Sequence, residues 1–341
     1  MLIYLVAIIL SGFAIQFAGS PGLADPQLAA SVLLCVPVLV AIVGWWSLGG
    51  GEFQRRHWVW VGLVVSRSIS AGAAWFASPF MLPFSLAPIA GLMTQQVARF
   101  RQDRIRPALQ QIGLILTGIS LFQLLAPGMQ NVWLNRNALA SALCLSLAAY
   151  LPDLVGSGRL SKLLAALVTL GIVATGSRGG LIAAALMAAY HFRLLHWAAP
   201  AAVAAVPIAL QLRNPAAISI RLGFWRDALA SWMSSPLIGI GPQPLPGGAL
   251  HAHNLPLGVL AWSGLIGLVI LGYGIGRSAK GWYMPRWAWA GVVAFLAHGM
   301  IEDFTIQPAI MALLGVILAS EPKPGQYCRH GPGQIQDTGH H

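Results

Sequence analysis

Charge in this chain is largely confined to short breaks between long apolar runs, and that spacing leaves few ways for it to fold. Lysine, arginine, aspartate and glutamate make up only 9% of the 341 residues, where a soluble domain carries about 25%. Hydrophobic residues make up 57%, and the mean hydropathy is +0.71. Backbone groups in lipid must be satisfied within their own segment, so repeated apolar runs of roughly 20 residues read as bilayer-crossing helices. Such runs fall at 1–18, 28–48, 57–76, 79–97, 108–126, 137–155, 162–176, 179–192, 197–212, 254–276, 287–300 and 304–319. The expectation is an all-α polytopic integral membrane protein of about twelve transmembrane helices. One transmembrane domain would occupy residues 1–320, and a polar, Gly/Pro-rich cytoplasmic tail, read as disordered, residues 321–341. The apolar start has no basic stretch or clear cleavage site and reads as a retained span.

The net charge of +11 would suggest nucleic acid in a soluble protein. Here much of it lies in alternate short loops, at Arg55 and Arg56, at Arg99 to Arg106, at Arg159 and Lys162, at Arg193, and at Arg277, Lys280 and Arg286. The positive-inside rule places those loops and both termini in the cytoplasm, with no nucleic-acid partner implied. The remaining charge suits anionic lipid or a phosphorylated substrate. Cys35, Cys144 and Cys328 show no CxxC and no partner spacing, so neither a disulfide framework nor a zinc site is expected.

One long outer loop, about 211–253, breaks the charge rule by carrying Arg213, Arg221 and Arg226. Asn214 followed by Pro215 is a helix-start signal, and Ile218, Leu222, Trp225, Leu229 and Trp232 recur at helical spacing. Arg221 and Arg226 flank that stripe and Asp227 points away from it, the pattern of a helix lying in a membrane interface. Such arginines serve equally to hold lipid phosphates. In ATGSRGG, Ser177 can cap the following helix, so that free backbone N–H groups, the positive helix end and Arg178 converge as an anion site; snorkelling to headgroups is the alternative. Arg67 within a span and Arg136 in NVWLNRNALA are further candidates, each open to a structural pairing. Glu302 and Asp303, the outward acidic pair near a span, read as neutralising an arginine.

The loop ends in GPQPLPGGALHAHN, which delivers His251 and His253 to the start of an apolar helix. An imidazole at a boundary between water and lipid can take a proton near neutral pH. A metal pair is set aside because no carboxylate or cysteine lies nearby in sequence, and histidines that merely cap a span remain the other reading.

The succession GSRGG, Arg221 with Trp225 four residues on, SPLIGIG, then HN, nine intervening residues and GLIG resembles the O-antigen ligase superfamily. That group includes lipopolysaccharide O-antigen ligases, O-antigen polymerases and protein O-oligosaccharyltransferases. The likeness covers residues 137–320, with LNRNALA similar to the family's Asn-containing segment at Asn137 and the most specific match at His253, Asn254, Gly264 and Gly267. The outer loop is short for the family, and Leu268 and Val269 stand where ligases often carry small hydroxylated residues. The resemblance implies a metal-independent, inverting glycosyltransferase of the bacterial inner membrane with a periplasmic active site. It would move a glycan from undecaprenyl diphosphate to an acceptor hydroxyl on lipid A core or, in the related activities, on another glycan or a protein. His253 would be the base and Arg178 and Arg221 the holders of the diphosphate, with Ser177, Asn254, Arg226, Arg136, Trp225 and His251 as substrate-binding candidates and no cofactor. A transporter of the same lipid-linked glycan is the alternative from another class. It would need repeat symmetry and broken midplane helices, whereas the candidate groups cluster at one face.

Overall fold

After Arg136 and Asn137, the segment ALASALCLSLA is apolar or small on every side, and a helix of that kind must be enclosed rather than lie on a surface. A computed structural model of the chain describes residues 42–43, 82–99, 101–126, 135–156, 158–194, 215–249, 251–280, 284–302 and 308–320. Among these residues every regular element is helical, with no strand. The helices are α1 (Leu82–Arg99), α2 (Gln102–Leu125), α3 (Arg136–Ala148), α4 (Leu151–Gly156), α5 (Arg159–Ala174), α6 (Arg178–His191), α7 (Pro215–Ser234), α8 (Leu255–Lys280), α9 (Arg286–Gly299) and α10 (Pro308–Ala319).

Helix α3 is the enclosed segment: every side chain from Ala138 to Ala148 is buried, and α2, α5, α6, α9 and α10 pack around it. Helix α10 runs along α1 at backbone distance, since a Cβ on Gly315 would sit 2.2 Å from the Gly91 carbonyl oxygen. Glycine at both positions permits so close an approach of two helix backbones.

Two described helices, Gln102–Leu125 and Leu255–Tyr273, are long and apolar enough to cross a membrane. Helix α5 is apolar on both sides: Ala165, Val168 and Ile172 are buried while Leu160, Leu163, Leu170 and Val173 are exposed. The expected spans 1–18, 57–76 and 197–212, all of 28–48 but residues 42–43, and the tail 321–341 lie outside the described residues. Each remaining expected span contains helix, with two differences. The span expected over 137–155 is two helices, α3 and α4, joined at a turn with Pro152 in the first turn of α4. The span expected over 254–276 is α8, and it is broken at Gly264.

Gly264 takes φ 63° and ψ −166°, a conformation essentially restricted to glycine. The break turns two carbonyls and two N–H groups outward, and the SPLIGIG strip takes them all. Ile240 N–H donates to the Ala261 carbonyl at 2.8 Å and Gly241 N–H to the Trp262 carbonyl at 3.1 Å. Leu265 and Ile266 N–H donate to the carbonyls of Pro236 and Leu237 at 2.9 and 3.1 Å. A Cβ on Gly264 would lie 2.3 Å from the Leu237 carbonyl carbon and oxygen, and one on Gly239 would lie 2.5 Å from the Ser263 nitrogen. The strip therefore lies flat on the break. A small core of Ala228, Leu245, Ala252, Ala261 and Trp262 forms beneath the rest of the loop.

Candidate active site

The amino end of α6 begins the site. Ser177 is its N-cap, its Oγ accepting the Gly180 N–H at 3.2 Å as the GSRGG pattern led us to expect. The two glycines have packing reasons: a Cβ on Gly180 would lie 2.5 Å from Ala140 Cβ, and one on Gly179 would lie 2.0 Å from Ile301 Cδ1. Helix α6 thus closes onto α3 and α9.

From that cap a chain of hydrogen bonds runs inward. Ser177 Oγ donates to Asn137 Oδ1 at 2.9 Å, and Asn137 Nδ2 donates to Glu302 Oε2 at 2.7 Å. Glu302 Oε1 lies 2.7 Å from His253 Nδ1 and 3.8 Å from His251 Nε2. LNRNALA and HAHN, far apart in sequence, therefore meet on one carboxylate that is 1% exposed, and GSRGG joins them through Asn137. Burial alone would push the Glu302 carboxyl up. The hydrogen bond and charge of His253, the charge of His251 and the Asn137 amide outweigh burial and hold it below the usual range, so it is a carboxylate at neutral pH.

His253 directly precedes the Asn254 cap of α8. Asn254 Oδ1 accepts the Leu257 N–H at 3.0 Å, and its Nδ2 donates to the Met300 carbonyl at 2.8 Å, tying α8 to the end of α9. Asn254 is buried, and both ends of its amide are engaged. With Nδ1 on the carboxylate, His253 keeps its Nε2 edge for other work; its side chain is 32% exposed, and among the described residues Nε2 has no partner. Phe224 of α7 covers one ring face, stacked at 5.5 Å and 24°.

Arg221, one turn before Phe224, sets one Nη1 donor on the Ile301 carbonyl at 2.8 Å, beside Glu302. Helix α7 begins at Pro215 as expected, although Asn214 is not among the described residues. Of its stripe residues Leu222 and Leu229 are exposed and Trp225 and Trp232 half-buried, while Ala228 and Ser231 are buried, so the protein contact overlaps the apolar stripe only at the two tryptophans. Trp225 is half-buried, and its Nε1 is buried with no hydrogen-bond partner among the described residues. Arg178, Arg136 and Arg226 are exposed, the first two in the opening turns of α6 and α3 beside Ser177 and Asn137. Arg67, Arg213 and Asp303 lie outside the described residues.

Two expectations change. Glu302, read as neutralising an arginine, instead forms its ion pairs among the described residues with His253 and His251 and takes the Asn137 amide. The metal pair had been set aside for want of a carboxylate, and the fold supplies one: ligand atoms of His251, His253 and Glu302 lie within 4.8 Å of one another. Zinc uses sets of two histidines and a carboxylate. The hydrogen bonding works against it here. His253 N–H donates to His251 Nδ1 at 3.1 Å, so the neutral His251 ring carries its proton on Nε2, the nitrogen a cation would need. Neither a scan against models of known protein families nor a search of curated proteins finds a match to this chain.

Sequence reasoning missed the partnership of Glu302 with the histidines, and gave Asn137 no role beyond family likeness. It also missed Phe224, which had a local signal: it stands three residues after Arg221, on the same side of one helix.

Proposed function

We propose that the protein is a glycosyltransferase of a multi-span bacterial inner-membrane type, moving a glycan from an undecaprenyl diphosphate carrier to an acceptor hydroxyl at the periplasmic face. O-antigen ligation to lipid A core is the activity we favour. The observation that carries the reading is His253, an imidazole with one nitrogen on a buried carboxylate and the other unengaged at a half-open edge. A carboxylate on Nδ1 fixes the proton there, leaves a lone pair on Nε2 and stabilises the imidazolium that forms when Nε2 takes a proton.

In this reaction the acceptor O–H gives its proton to His253 Nε2 as its oxygen attacks the anomeric carbon. The bond from that carbon to the diphosphate oxygen breaks, and undecaprenyl diphosphate leaves with the electron pair. A single displacement inverts the anomeric configuration. Arg178 and the uncommitted donors of Arg221 suit the charge that grows on the diphosphate, since guanidinium groups grip phosphate oxygens in pairs. Arginines in place of a cation make the reaction metal-independent.

The test uses purified full-length protein, an undecaprenyl diphosphate-linked glycan and, in turn, lipid A core, a second glycan and a peptide acceptor, each with and without exhaustive chelation. Transfer with inverted configuration that survives chelation is the expected result. The acceptor used separates ligase from polymerase and from protein glycosylation. No transfer to any acceptor, with lipid-linked glycan crossing reconstituted vesicles instead, would make the protein a transporter.

A further inference from the structure

His253 adopts a backbone conformation, φ 49°, that residues with a Cβ seldom take. Something must hold it there. We propose that His251 is a positioning residue, its Nδ1 accepting the His253 N–H and thereby fixing the turn that sets the His253 ring between Glu302 and Phe224.

The bond spans 3.1 Å from side chain to the backbone two residues on, the geometry by which asparagine and aspartate stabilise tight turns. The His251 ring is itself held. Its side chain is 12% exposed, its Nε2 faces Glu302 Oε1 at 3.8 Å, and its ring centre lies 4.1 Å from that of His253. Between the two histidines, Ala252 is fully buried in the small core with Leu245, Ala261 and Trp262, so the tripeptide is anchored in the middle as well as bridged across its ends. His253 cannot keep its Nδ1 on Glu302 if the turn relaxes, because a change in φ swings the Cα–Cβ bond that carries the ring. His251 then acts on the chemistry through His253 and touches no substrate. The proposal rests on the transfer reaction above for its kinetic test only.

Three substitutions divide the possible roles of the ring. His251→Asn places Oδ1 at the same branch as Nδ1 and keeps the acceptor for the His253 N–H. His251→Gln keeps a donor near the position of Nε2 and lacks the branch acceptor. His251→Ala has neither. Two measurements are made on each purified full-length protein. The first is kcat and KM for transfer from the lipid-linked donor. The second is the rate at which diethyl pyrocarbonate acylates the neutral His253 ring, followed by peptide mass spectrometry across pH. The charged and titratable groups facing the His253 ring in that titration are Glu302 and His251.

We expect kcat to fall about 10-fold to 100-fold in the Ala and Gln variants with KM little changed, as for a slightly misplaced catalytic group. The acylation profile of His253 should shift in the same two variants, and His251→Asn should restore both readings. An Ala variant with wild-type kcat and a wild-type acylation profile overturns the proposal. So does an Asn variant that behaves like Ala, whether through lost function or lost fold. If the wild type transfers no glycan, the transfer reading fails, and the acylation profiles alone decide the role of His251.

Discussion

Glu302 carries the heaviest electrostatic demand in the site, a carboxylate 1% exposed and held by His253 and Asn137. Glu302→Gln keeps the shape but offers one acceptor oxygen where two donors converge, so an amide N–H must face either Asn137 Nδ2 or His253 Nδ1. Under the proposed reaction His253→Ala should lower kcat by about 10²-fold to 10⁴-fold with donor affinity little changed. Glu302→Gln should lower it by about 10²-fold or more by losing the charge that fixes the tautomer. Single-turnover kinetics with a separate donor-binding measurement checks both; a Glu302→Gln protein with wild-type kcat would remove the carboxylate from the mechanism. The same residues predict a pH dependence of stability. Burial pushes the His251 imidazole from 6.5 down to about 4, with the His253 and Arg221 charges acting in the same direction against the pull of Glu302. The unfolded chain therefore binds a proton that the folded one refuses between those values. Stability from this group is complete above about 6.5 and declines as pH falls toward about 4, where Glu302 begins to add its own loss at still lower pH. Thermal unfolding across pH should show that slope, and His251→Asn should flatten its upper part.

At the scale of elements, the break in α8 and the cap of α6 hold the site together. Gly264→Ala adds about 1–3 kcal/mol of backbone strain and a methyl 2.3 Å from the Leu237 carbonyl, so the SPLIGIG strip must lift. The expected outcome is a large drop in Tm, measured on detergent-purified protein, together with protease sensitivity between Pro236 and Gly241. A variant that unfolds like the wild type would mean that the strip is not held at the break. Helix ends also separate the two arginines. Arg178 sits in the first turn of α6, where the helix's positive end already favours an anion, and Arg178→Lys keeps the charge but loses the paired donors. Transfer activity should fall strongly in Arg178→Lys while the protein still inserts. Arg221→Lys should fall less, because one of the Arg221 donors already serves the Ile301 carbonyl rather than a ligand. Near-normal turnover in Arg178→Lys would return that side chain to the lipid headgroups.

For the molecule as a whole, the spacing of basic loops predicts opposite sides for the turn at residues 101–106 and the loop holding Arg221 and Pro246. Reporter fusions after residue 105 and at Pro246 test this directly. The expected outcome is a cytoplasmic first position and a periplasmic second; both on one side would overturn the assignment of the site to the periplasm. What the sequence by itself determined is what local rules can carry: apolar helices, the Ser177 cap, the start of α7 at Pro215, and His253 at the entry to α8. Periodicity and capping act over one or two turns, and a single sequence displays them. Tertiary structure alone decided that Glu302 meets His253, 49 residues away, and Asn137, 165 residues away. It alone decided that Gly264 breaks its helix, because an apolar run containing a glycine reads the same whether or not another strip of backbone lies against it. A buried carboxylate must find donors, but which donors reach it depends on how α3, α6, α8 and α9 pack, and no local pattern in the chain encodes that distance.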